Sequence, residues 1–140
     1  MMTKLANFCI IFACVVMMGC GPSPPYPVVP FSGTLTYQGE PLGQEMILTL
    51  IPAEGRLSTA IVAADGKFKA EYTGDLSGVQ TGKLTVNLGV YGMSNPIAAE
   101  PDISSLSPRV QEALKKYAFD TSDFTIEVTG KETGYKLDLP

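Results

Sequence analysis

From Phe31 onward the chain repeats one pattern: apolar and polar side chains alternate over a short run, a Gly-, Asp- or Pro-bearing turn follows, and the alternation resumes. A period of two places the apolar set on one face of a β-strand, so the repetition demands sheets with one buried side each. Phe31 to Tyr37 sets Phe31, Gly33, Leu35 and Tyr37 against Ser32, Thr34 and Thr36, and ends at Gln38-Gly39-Glu40-Pro41, a turn. Glu45 to Ile51 is, after Glu45, apolar on both faces apart from Thr49, which predicts a central strand. Leu57 to Ala64 and Lys67 to Thr73 flank Asp65-Gly66, a strong hairpin signal. In the second of these runs Phe68, Ala70 and Tyr72 oppose Lys67, Lys69 and Glu71.

Lys83 to Tyr91 sets Leu84, Val86, Leu88 and Val90 against Thr85, Asn87 and Gly89. Asp123 to Thr129 and Gly134 to Leu139 repeat the design, and the turn Gly130 to Thr133 predicts a terminal hairpin between them. Seven short strands with Gly-rich turns predict an all-β, antiparallel sandwich. One long insertion, Gly92 to Thr121, interrupts the rhythm between the fifth and sixth strands. Its middle predicts a helix over Ser107 to Ala118: Ser107 is an N-cap residue, Pro108 suits the first turn, and Val110, Leu114 and Tyr117 form one apolar stripe. Such an insertion either carries a functional site or covers an open sheet edge.

The residues before the alternation read differently. Phe8 to Met18 is an unbroken apolar run after Lys4, about half the length of roughly 20 residues that a spanning helix requires, so it predicts an export signal over 1–19. Met17-Met18-Gly19-Cys20 closes the run and resembles the lipobox of bacterial lipoproteins, in which cleavage falls between Gly19 and Cys20. The resemblance implies that the Cys20 thiol is alkylated by a diacylglycerol unit and that the new amino terminus is acylated. More than one acyl chain is what stable anchoring needs.

All three cysteines, Cys9, Cys14 and Cys20, lie in this region. Cleavage before Cys20 leaves one Cys, which carries the lipid, so the domain contains no disulfide and rests on its hydrophobic core. Gly21 to Pro30 holds five prolines and predicts an extended tether over 20–30, with the domain occupying 31–140. The chain has no His, which excludes Ser-His-Asp and Cys-His catalysis and His-ligated metals. After cleavage nine basic side chains face fourteen acidic ones, about −5 in net charge, so no nucleic-acid partner is expected.

Within the domain, Ser32-Gly33-Thr34-Leu35-Thr36-Tyr37, Gly39-Glu40-Pro41-Leu42, Leu50-Ile51-Pro52, Ala64-Asp65-Gly66-Lys67-Phe68 and Thr81-Gly82-Lys83-Leu84-Thr85-Val86 occur in that order. Their order and spacing resemble the transthyretin-like, carboxypeptidase-regulatory-like domain of small bacterial, planctomycete-type lipoproteins. Lys116-Tyr117-Ala118 and the closing strands are similar to that family's ending. The chain departs from the family at Gln44 to Ile47, and at Ala63 and Ala64, where the family carries an acidic residue. The resemblance implies a seven-stranded prealbumin-like (Ig-like) sandwich with one inserted helix, no catalytic centre and no cofactor.

The remaining chemical candidates are few. Asp120 and Asp123 supply too few oxygens for a Ca²⁺ site and read as turn residues. Ser94, in Gly92-Met93-Ser94-Asn95-Pro96, lacks the second Gly of a nucleophile elbow and has no base. The expected function is a non-catalytic cell-envelope lipoprotein, membrane-bound through lipid and facing the periplasm or exterior, whose sandwich contacts an envelope protein. A surface carbohydrate-binding module is the alternative. Its contacts would be Tyr37, Tyr72 and Tyr91, provided that they share an exposed face.

Overall fold

The computed structural model describes residues 26–92 and 103–140. The expected signal, cleavage site and anchor (Gly19, Cys20, and with them Cys9 and Cys14) lie outside the described residues, as does Ser94. In chain order the described elements are β1 (Val28–Val29), β2 (Phe31–Tyr37), β3 (Met46–Pro52), β4 (Ser58–Val62), β5 (Lys67–Lys69), β6 (Glu71–Thr73), β7 (Leu76–Ser77), β8 (Val79–Gln80), β9 (Gly82–Val90), α1 (Pro108–Tyr117), β10 (Thr125–Val128) and β11 (Glu132–Leu139). The protein is mostly β with a single described helix, and that helix falls between β9 and β10 as its N-cap and stripe predict.

Two sheets face each other. The larger runs β10-β9-β3-β4-β6-β7 and the smaller β11-β2-β5, while β1 and β8 form a separate two-stranded pair. The alternation places inward-facing residues as expected: Met46, Leu48 and Leu50 on β3, and Leu84, Val86, Leu88 and Val90 on β9, meet Phe31, Leu35, Leu137 and Leu139 of the other sheet in one buried cluster. The apolar strand β3 is central, held between β9 and β4.

Three expectations about pairing are corrected. First, the Asp65-Gly66 turn forms, with Gly66 at φ 90° and the Lys67 N–H bonded to Asp65 Oδ1 at 3.1 Å, but it does not close a hairpin ladder. β4 stays in the larger sheet, whereas β5 pairs antiparallel with β2 in the smaller one, so the turn is a corner between layers. Second, the expected strand Lys67 to Thr73 is divided at Ala70. Its first half belongs to the smaller sheet and its second half, β6, returns to β4 at Thr59 and Glu71. The Ala70 N–H still bonds to the Phe31 carbonyl at 2.9 Å, which marks the point where the strand leaves one layer for the other.

Third, β10 and β11 are not a hairpin. β10 pairs with β9, and β11 lies parallel to β2, from Glu132 beside Phe31 to Leu139 beside Tyr37. The sandwich is therefore not wholly antiparallel. The reason is geometric: β10 ends beside Gly82, at the end of the sandwich where β2 begins. A connection of a few residues can deliver β11 only to that end, and the free edge of β2 then takes it in parallel. Gly33 permits this approach, because a Cβ there would lie 1.9 Å from the Tyr135 carbonyl oxygen.

The expected tether is also shorter than its proline content implies. Val28 and Val29 pair antiparallel with Gln80 and Val79, and the Thr81 N–H bonds to the Pro27 carbonyl at 3.1 Å. Proline cannot donate to a ladder, but an edge position leaves its carbonyl free to accept. From Tyr26 onward the segment belongs to the folded body.

Candidate functional site

The helix α1 begins as the local chemistry dictates. Ser107 caps it by accepting the Val110 N–H at 3.3 Å, and Pro108 occupies the first turn. Val110, Ala113, Leu114 and Tyr117 are buried against the sheets. The larger sheet needs this cover, because β10 pairs only with residues 82–85 of β9 and the rest of that edge runs on past it. The helix and the loop after it occupy that side: Ser122 Oγ donates to the Val86 carbonyl at 2.5 Å, and the Val86 N–H donates to the Phe124 carbonyl at 2.9 Å.

Arg109 locks the start of the helix to the β2–β3 turn. Its guanidinium donates to the carbonyls of Pro41 at 2.7 Å, Glu40 at 2.9 Å and Tyr37, and it stacks over the Tyr37 ring at 5.6 Å. A cation in the first helical turn opposes the macrodipole. That local misfit was the available sequence signal that Arg109 serves a tertiary partner. At the other end of the helix, Tyr117 Oη donates to the Pro140 carbonyl at 2.6 Å, and the Tyr117 ring meets Tyr37 and Phe124 edge-on.

Between Leu88–Val90 of β9 and Leu114 and Lys115 of the helix with its C-cap Ala118 lies a cleft of about 430 Å³, completed by Ile103, Phe119 and Asp120. Phe119 is 78% exposed, and neighbouring Tyr91 is 49% exposed. This lining suits an apolar side chain and offers no nucleophile paired with a base. Asp120 and Asp123 are both exposed, and the chain between them turns on the Thr121 and Ser122 amides, which bond to the Ala118 carbonyl. Among the described residues no group of three or more His, Cys, Asp or Glu is placed to hold a metal ion.

The three tyrosines do not share an exposed face. Tyr37 is completely buried and Tyr72 is 7% exposed, which leaves only Tyr91 at the surface. The alternation explains the correction: Tyr37 is in register with Phe31 and Leu35, and Tyr72 with Phe68 and Ala70, so both follow the core face of their strands.

Among the described residues, three groups have displaced titrations. The Tyr26 hydroxyl is raised because it bonds to the Glu54 carboxylate at 3.2 Å and feels its charge. Tyr37 is raised by burial and then by the neighbouring Glu112 carboxylate, against the opposing pull of Arg109. Asp138 is held below the usual carboxyl range by the Thr36 hydroxyl at 2.7 Å and the Gly39 N–H at 2.9 Å. Asp138 thereby ties β11 to the Gln38-Gly39 turn, whose two residues both have positive φ, as a tight type I′ hairpin requires.

Comparisons of the chain with protein families, with curated proteins and with solved structures give no match.

Proposed function

We propose that this chain is a lipid-anchored, non-catalytic module of the cell envelope, with Cys20 as the lipid-bearing residue and a transthyretin-like domain that works through protein contacts. The observation that carries the reading is Met17-Met18-Gly19-Cys20 at the close of an apolar run too short to span a bilayer. The sequence beyond Cys20 contains no other Cys, so no thiol there competes for the lipid. The apolar cleft beside Phe119 offers a protein partner a place for a side chain. The carbohydrate reading has lost its platform with the burial of Tyr37 and Tyr72.

The test is a Cys20→Ser variant compared with the parent for membrane partitioning and for incorporation of labelled palmitate. Loss of both is expected; unchanged partitioning refutes the anchor. In-cell cross-linking of the parent should recover protein neighbours. Recovery of glycans alone refutes the protein-contact part.

A further inference from the structure

We infer that β1 is a mooring: it holds one pole of the domain against the lipid headgroup layer and directs the opposite pole, with its apolar cleft, away from the membrane. The inference rests on the reading of Cys20 as the anchored residue. Its structural basis is independent of that reading. Val28 and Val29 are paired with β8, the Pro27 carbonyl accepts the Thr81 N–H, and Tyr26 bonds to Glu54. Gly78, at φ 128°, lets β1 press so close that a Cβ there would lie 2.2 Å from the Val29 carbonyl oxygen. Covalent geometry then limits the free reach from Cys20 to Tyr26 to about 22 Å, against about 40 Å if the chain were loose to Phe31.

The strands give the body two ends. β2, β4, β9 and β11 all start at the moored pole, and β3 and β10 end there, beside the Ala53–Arg56 loop and the Thr129–Lys131 connection. β9 runs from Gly82 at this pole to Val90 at the other, which separates the poles by about 25 Å at the usual rise per strand residue. The distal pole holds the Gln38–Pro41 turn and the start of the helix, with the cleft lined by Leu88, Val90 and Phe119 in the same half. The moored face carries Glu54 and Glu132 beside Arg56 and Lys131, so charges of both signs meet the headgroups. The covalent attachment, and not a charged patch, sets the orientation.

Single-cysteine labelling tests this on the full lipidated chain, because the signal takes Cys9 and Cys14 with it and the lipid blocks the Cys20 thiol. Lys131→Cys at the moored pole and Glu45→Cys at the distal pole, both exposed positions, carry a donor fluorophore in phosphatidylcholine vesicles bearing a headgroup-attached acceptor. Transfer from position 131 should exceed that from position 45 several-fold. A flexible insert of about a dozen Gly and Ser residues between Pro25 and Tyr26 should keep the protein on vesicles and narrow that ratio. Equal or reversed transfer from vesicle-bound protein overturns the mooring while leaving the anchor intact. Failure of every variant to bind vesicles overturns the anchor, and the orientation with it.

Discussion

Replacing Gly78 by Ala should detach β1 while leaving the sandwich folded. Two costs fall on the native conformation. A residue with a Cβ at φ 128° is strained by about 1–3 kcal/mol, and the new methyl carbon would sit 2.2 Å from the Val29 carbonyl oxygen, far inside contact distance. Releasing β1 costs less. It gives up the short ladder with β8 and the Thr81 to Pro27 bond, each bond worth about 1 kcal/mol net. It also exposes part of Val29, while the freed residues regain about 1–2 kcal/mol of backbone entropy apiece.

Release therefore caps the loss at about 3 kcal/mol, or roughly 10 °C in Tm for a domain of this size. The Gly78 N–H bond to the Ala70 carbonyl can persist, so the larger sheet need not open. Hydrogen exchange is the direct assay: the Thr81 amide should lose protection while the Val86 amide, bonded to Phe124, keeps it. The Tyr26 phenol should return to its ordinary titration as its bond to Glu54 is lost. Gly74→Ala is the control, since a Cβ there meets nothing and no positive φ is involved. Unchanged Thr81 protection in Gly78→Ala, or global unfolding that exposes Thr81 and Val86 together, would refute the reasoning.

Arg109→Ala should lower stability by about 2 kcal/mol, from the loss of its charge-assisted bonds to a part-buried turn and of the stacking on Tyr37. Arg109→Lys should not restore it, because one ammonium cannot reproduce a planar fork spread over three carbonyls; denaturant midpoints read both. Asp138 has a folded-state titration depressed below 3.8, so its contribution is present above that value and is lost as pH falls through the lower, folded one. Asp138→Asn should destabilise the protein at pH 7 and make its acid limb shallower, as followed by unfolding curves between pH 7 and 2.

Much of the local structure is legible in the sequence. Ser107, Pro108 and the Val110-Leu114-Tyr117 stripe specify the helix within about one residue, because capping and helical period are properties of neighbouring residues. The central place of β3 follows from its apolar character on both faces. The candidate site was less legible. The lipobox resemblance is carried by four consecutive residues, Met17-Met18-Gly19-Cys20, whereas the cleft beside Phe119 joins β9 to a helix inside the long insertion, and no local signal links them. The condition that Tyr37, Tyr72 and Tyr91 share an exposed face is not met, because Tyr37 and Tyr72 follow the inward register of their own strands.

By itself the sequence determined the longer strands, the main turns, the helix and the buried face of those strands, but not the short strands β1, β7 and β8 or the break at Ala70, so eleven strands are described where seven were expected. The tertiary structure alone decided the partners: β5 crossing to β2, β11 lying parallel to β2, and β1 closing on β8. Side-chain alternation is local and reports only which way a residue points, whereas a ladder joins backbones far apart in the chain whose amides are chemically alike. Which strand edges meet is set by where each connection can deliver its strand and by close approaches such as Gly33 and Gly78, and those exist only once the layers have packed.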